Sequence, residues 1–145
     1  MLKHLKILFI FIQIIISVSV LSQTEYSSSE EMLAAANDLF SQEEYTQAFP
    51  LYSQLLSLDR TNSDLNYHFG VCLLYSDRSD TYAPIEYLNK ALKEVSDPDI
   101  YYHLGFAYHI NYNFPAAISF YKDYLNRVDH KKKATNPNWY KKEFK

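Results

Sequence analysis

Tyr67-His68-Phe69-Gly70 returns 35 residues later as Tyr102-His103-Leu104-Gly105, and those two glycines are the only ones in the 145-residue chain. Coincidence is a poor account of both glycines sharing one context. A fixed period of this size marks a repeat architecture in which each unit buries its apolar face on the next. The match therefore governs how the rest of the chain is read.

Aligned on the glycines, each copy begins with helix-start chemistry. Asp97-Pro98-Asp99 offers a cap, a proline suited to the first turn and an acid at the positive helix end, and Ser63-Asp64 offers a sparser version. Ala36 stands 34 residues before Gly70, inside the helically periodic run from Glu31 to Phe40, and Ser28 with Glu31 predicts a capping box there. A second apolar-periodic run follows each first one, over 47–56, 83–92 and 116–125. Between them, the middle copy carries two extra residues around Ser76–Tyr82. A glycine inside a helix costs about 1 kcal/mol relative to alanine, so it needs a packing reason. Small residues facing each other at a helix crossing (Gly70 with Pro84, Gly105 with Ala117, Ala36 with Ala48) provide one. Leu39, Leu73 and Tyr108 on first helices and Tyr52, Leu88 and Tyr121 on second helices would flank those crossings. The predicted class is all-α.

These residues resemble the tetratricopeptide repeat (TPR) family. The third copy carries the pattern best, with Tyr101, Leu104, Gly105, Tyr108, Ala117, Tyr121 and Leu125. The second has Asn66 in place of the first aromatic and Pro84 in place of alanine; the first has Met32 and Ala36. The resemblance implies an α-solenoid of about three helical hairpins over 29–126, divided at 29–62, 63–97 and 98–126. It also implies that the first helix of each hairpin lines a concave groove. The residues carried onto that face are Leu33, Asn37 and Phe40, then Tyr67, Val71 and Leu74, then Tyr102, Phe106 and His109. Chaperone-binding members of the family grip a terminal carboxylate with basic side chains. The matching positions here read Leu33, Asp99 and His103, and Asp64 and Asp99 would repel an acidic tail.

The two ends read differently from the middle. Lys3, His4 and Lys6 precede an apolar stretch from Ile7 to Val20, and a small-residue exit leads to Gln23. This is the anatomy of a secretory signal over 1–22, followed by a short linker over 23–28. Membrane contact is expected only if that segment is retained. The segment 127–145 is basic and, from Asn136-Pro137-Asn138-Trp139-Tyr140, begins a partial capping helix with Trp139, Tyr140 and Phe144 to bury. A helix that short fits either a minimal cap or the front piece of a longer envelope protein.

Charge and composition exclude several classes. From residue 23 to 126 there are 15 acidic residues against five basic ones; from Arg127 onward there are seven basic against Asp129 and Glu143. An acidic body makes nucleic acid an unsuitable main partner. Cys72 is the single cysteine, so no intramolecular disulfide exists, and its expected place is a small semi-buried one. His68 and His103 share a repeat position, but zinc needs three or four converging ligands and the pattern supplies two. Hydrogen bonding between repeats or exposure is the plainer expectation for them. No nucleophile triad, phosphate loop or metalloprotease motif is written in the chain, so neither catalysis, cofactor, metal nor small-molecule substrate is expected. The sequence thus predicts an exported protein-binding scaffold, periplasmic, cell-envelope associated or secreted, that takes a peptide or helix of a protein partner. The alternative is a structural spacer that self-associates as a homo-oligomer.

Overall fold

The computed structural model describes residues 26–76 and 79–135. The expected signal over 1–22 lies outside them, as do Trp139, Tyr140, Phe144 and the lysines at 141, 142 and 145. Six helices make up the regular structure of the described residues: α1 (Ser29–Ser41), α2 (Tyr45–Leu58), α3 (Ser63–Ser76), α4 (Ala83–Ala91), α5 (Asp99–Ile110) and α6 (Phe114–Thr135). Each packs against the next in sequence, and α3 also meets α5. The all-helical class is as the periodicity predicts.

Helix starts follow from short polar side chains, though not always the expected ones. Ser28 Oγ accepts from Glu31 N–H at 3.2 Å. The Glu31 carboxylate does not return to Ser28; it takes the Ser27 N–H at 2.9 Å and the Ser27 hydroxyl at 2.6 Å, closing the box one residue early. At α3 the cap is Asn62, whose Oδ1 accepts from Leu65 N–H at 3.0 Å, rather than Ser63 or Asp64. Asp80 Oδ1 takes the Tyr82 and Ala83 N–H groups ahead of α4. Asp97 Oδ1 takes that of Asp99 at 3.1 Å. Ser28, Asn62, Asp80 and Asp97 each reach forward onto N–H groups at a helix start.

α1 and α5 end alike. Glu43 and Tyr112, each seven residues past the small residue of its copy, hold φ of 61° and 60°. Glu43 N–H bonds Phe40 C=O at 3.0 Å and Glu44 N–H bonds Leu39 C=O at 2.9 Å. Tyr112 N–H to His109 C=O and Asn113 N–H to Tyr108 C=O, both at 3.0 Å, repeat the pattern. This is a Schellman closure, usually made by glycine because a left-handed residue with a side chain costs about 1–2 kcal/mol.

Burial is organised around α3. Nine of its residues are buried, on every side of the helix. Leu65, Phe69, Cys72 and Leu73 join Met32 and Ala36 of α1 and Ala48, Tyr52, Leu55 and Leu56 of α2 in one core cluster. Tyr67, Val71 and Leu74 join Leu88 and Ala91 of α4 and Ile100, Leu104 and Ala107 of α5 in another. Removing a buried leucine from such a centre typically costs about 2–5 kcal/mol.

The glycines serve close approach, but to large partners rather than small ones. A Cβ on Gly70 would meet Leu88 Cγ at 3.0 Å and Tyr87 Cβ at 3.2 Å. One on Gly105 would fall 2.6 Å from the Tyr121 ring. The residues expected to flank the crossing therefore press directly onto the glycine backbone, and the paired-small-residue picture is corrected accordingly.

α6 differs most from expectation. Instead of stopping at Asn126 it runs on through Lys131-Lys132-Lys133 to Thr135. The boundary read there lies inside a helix, and those lysines belong to its turns.

Gly105→Ala is expected to lower the unfolding free energy by about 1–3 kcal/mol through the clash with Tyr121, despite alanine's better helix propensity. Adding Tyr121→Leu, which mimics the Gly70–Leu88 pair, should return part of that loss. Denaturant melts of the two single variants and the double variant measure the coupling; simple additivity of the two losses would contradict the clash.

Candidate functional site

The helices leave a cavity of about 580 Å³ walled by Phe40, Glu43, Tyr45, Tyr67, His68, Tyr75, Asp97, Asp99, Tyr102, His103 and Tyr124. Five tyrosines, a phenylalanine and two histidines meet there, brought together by helices that pack against their neighbours in sequence. Tyr67-His68 and Tyr102-His103, the recurring pair of the sequence, supply four of the walls.

The rings form a continuous network. Tyr45 stacks on Tyr75 with centroids 4.9 Å apart, and Tyr75 stacks in turn on Phe106 at 5.8 Å. Phe40 sets its edge against His68 at 4.6 Å and lies 6.4 Å from Tyr67. His68 stacks on Tyr52 at 5.0 Å and 10°. At the other end Tyr102 lies 5.6 Å from Tyr124 and 6.0 Å from Tyr121. Such pairs add about 0.5–1.5 kcal/mol each beyond the area they bury and hold the walls in place.

The histidines act as polar struts. His68 Nδ1–H donates to Asp64 C=O at 2.7 Å, one turn back on α3. His103 Nδ1 and the Tyr75 hydroxyl share a hydrogen bond at 3.3 Å, which links α5 to α3. Burial pushes the pKa of both rings down, that of His103 to about 4, opposed at His68 first by the hydrogen bond to Asp64 C=O and at His103 by the charge of Asp97. Both are therefore neutral at neutral pH. The Tyr67 hydroxyl is pushed up, first by burial and then by the charges of Asp97 and Asp99. That pull places the two carboxylates within electrostatic reach of the tyrosine wall.

Of the nine residues carried onto the groove from the resemblance, Phe40, Tyr67 and Tyr102 line the cavity. Tyr102 is 43% exposed while Tyr67 is 8% exposed. Val71 and Leu74 are sealed in the α3–α4–α5 core at 0% and 1% and present no surface to a partner. A helix buried on all sides has no free groove face at those positions. Asn37 stands outside the cavity and accepts the Tyr52 hydroxyl at 2.8 Å. Phe106 lies behind Tyr75 as a stacking support. His109 sets its ring against Phe114 at 5.7 Å, and Leu33 is exposed on α1.

The cavity also recruits residues that the first-helix rule passes over. Tyr45 opens α2 immediately after the left-handed turn at Glu43. Tyr124 belongs to α6, Asp97 was readable only as a helix-start acid, and Asp99, already read as a groove position facing an acidic tail, reaches the rim with it. Tyr45 had a legible signal: it stands nine residues after Ala36, as the exposed Phe114 stands nine after Gly105.

A second depression, of about 440 Å³, opens between α2, α3 and α4. Two of its charges are engaged: Lys90 pairs with Glu86 at 2.7 Å and lies 4.8 Å over the Tyr87 ring. Asn66, in the repeat position of Tyr101, donates from Nδ2 to the Arg60 and Asn62 carbonyls. Its buried Oδ1 has no partner among the described residues. This depression offers far less uncommitted ring surface than the tyrosine cavity.

Among the described residues no three His, Cys, Asp or Glu side chains converge as a metal site requires. Cys72 is buried completely, deeper than its sequence context suggests, and burial pushes its thiol up to about 12. No helix of the described residues is long and apolar enough to cross a membrane. No protein-family model matches the chain, and a search of curated proteins finds no match.

The buried neutral histidines fix the sign of an acid response. Folded His103 holds a pKa below the ordinary 6.5, so the unfolded chain binds more protons between the two values. Its contribution to stability is complete above pH 6.5 and is lost as the pH falls toward about 4. Urea midpoints should drop across that window, and the drop should be shallower in His103→Gln. An equal slope in the variant would show that other groups carry the acid response.

Proposed function

We propose that the chain is a non-catalytic, TPR-like α-solenoid that holds a peptide or helix of a protein partner against its tyrosine cavity. The observation that carries the reading is the cavity wall: five tyrosines from α2, α3, α5 and α6, braced by stacking and left without a covering element among the described residues. Tyrosine gives contact area at small entropic cost, which is why it anchors interfaces. An extended segment or an amphipathic helix is the shape such a wall accepts. The sequential packing of six helices and the matched closures at Glu43 and Tyr112 support a repeating hairpin, as the resemblance implies. Export to the cell envelope rests on the signal-like residues 1–22, and a role in envelope assembly rests on analogy of architecture.

Tyr102→Ala with Tyr124→Ala tests the groove, since Tyr102 is exposed and Tyr124 half-buried. Partner capture from the host envelope, scored by mass spectrometry against a folded wild-type control, should lose its specific partner in the double variant. Undiminished capture by a folded double variant would remove the cavity from the binding surface.

A second reading is favoured by one observation. Phe114, Ile118 and Leu125 are 50%, 54% and 61% exposed and lie along one face of α6. An uncovered apolar row at the end of a helical array suits self-association or a further covering element. Sedimentation over a range of concentrations should show a dimer that Ile118→Glu with Leu125→Glu dissolves. A monomer at every concentration would set self-association aside.

A further inference from the structure

The depression between α2, α3 and α4 lies where the middle copy departs from the third. Asn66 and Tyr101 hold the same repeat position, 35 residues apart, and Tyr87 and Phe120 stand three residues past Pro84 and Ala117. In the third copy the Tyr101 ring lies 6.4 Å from Phe120, with the Arg127 guanidinium 4.1 Å over its face. In the middle copy the short amide of Asn66 takes that position. A cavity of about 440 Å³ opens beside it, with Ser53, Ser57, Arg60, Phe69 and Tyr87 among its walls. It shares no lining residue with the tyrosine cavity.

The floor of this depression holds an unsatisfied polar atom. Asn66 is 2% exposed, the most deeply buried of the residues that line it. Its Nδ2 donates to the Arg60 and Asn62 carbonyls at 3.1 and 2.7 Å, which fixes the orientation of the amide and leaves Oδ1 as the acceptor. That oxygen is buried and accepts from no group among the described residues. Buried acceptors without a donor are rare and costly, so each one calls for a reason. Beside it the Phe69 and Tyr87 rings meet edge to face, 4.8 Å apart. The walls suit an aromatic ring, and the floor suits a ring that ends in a donor.

We propose that the depression receives a tyrosine side chain of a protein partner, inserted hydroxyl first, whose O–H donates to Asn66 Oδ1 while its ring packs on Phe69 and Tyr87. The partner's ring then takes the place that Tyr101 fills from within the third copy. Arg60, exposed at the rim, supplies the guanidinium that Arg127 supplies there. Phenylalanine would leave Oδ1 unsatisfied, and tryptophan carries its donor on the flank of the ring rather than at the tip. Because Oδ1 is shielded from solvent, the contact requires a side-chain adjustment at the floor, of a kind common at interfaces. This site is separate from the groove reading and does not depend on it.

Three synthetic peptides, identical except for a central Tyr, O-methyltyrosine or Phe in a Gly-Ser context, test the assignment by backbone amide NMR on the full chain. The Tyr peptide should shift the amides of Ser53, Ser57, Phe69 and Tyr87 at millimolar concentration. It should bind about tenfold more tightly than the other two, which lack the donor. Asn66→Tyr builds the third copy's ring into the middle one and should abolish those shifts. Equal affinity for the three peptides overturns the proposal, because the donor then plays no part. Silence at the depression overturns it whatever occupies the site, residues 136–145 of this chain included. Shifts confined to Tyr67, Tyr75 and Tyr102 overturn it as well, and assign the peptide to the tyrosine cavity instead. Undiminished binding by a folded Asn66→Tyr variant has the same force. If that variant does not fold, the three-peptide comparison on the unaltered chain decides.

Discussion

Everything in this structure depends on α3 having no outer face. Its nine buried residues divide between two core clusters, so the helix satisfies its apolar surface only when α1 and α2 close on one side and α4 and α5 on the other. Neither half is complete alone, because each borrows its third wall from the same helix. Cooperativity between the two halves follows, because neither core cluster closes without α3. It also explains why Cys72 is sealed: the thiol lies on the one element that the fold encloses.

The cavity is a by-product of that enclosure. With Val71 and Leu74 turned into the core, α3 offers the groove only Tyr67, His68 and Tyr75, each at the margin of a buried face. Their rings are then held by partners from other helices: Tyr45 on Tyr75, Phe40 on His68, His103 on the Tyr75 hydroxyl. The result is a wall whose side chains are held in place by one another.

How much of this was legible in the letters varied with the kind of constraint. The period, the helical class and the importance of Gly70 and Gly105 were readable, because a glycine in a helix has few reasons to exist. What the glycines face was not: Tyr121 and Leu88 press on them through three-dimensional crossing geometry that spacing alone does not encode. Helix starts were legible to within a residue, since Ser27, Ser28, Asn62 and Ser63 are chemically interchangeable as caps. Of the residues carried onto the expected groove, Tyr67 and Tyr102 line the cavity, whereas Val71 and Leu74 are buried because α3 packs on both sides. Tyr45 and Tyr124, on α2 and α6, were not carried onto it. The end of α6 lies past the boundary read at 126 because the lysine run at 131–133, which sequence sets apart by its charge, is made of good helix formers.

The two closures at Glu43 and Tyr112 show how the chain distributes its backbone freedom. Its only glycines sit where two helices touch, and the turns that would most welcome glycine hold side-chain-bearing residues at φ near 60° instead. The ends of α1 and α5 therefore share a dihedral angle, although Glu43 and Tyr112 share no letter. The first of these kinks sits at the cavity mouth, and it is the bend that throws Tyr45 across onto Tyr75. A turn that relaxed to an ordinary conformation would swing that ring away, so the shape of the mouth is set by a strained hinge rather than by the aromatic wall it completes.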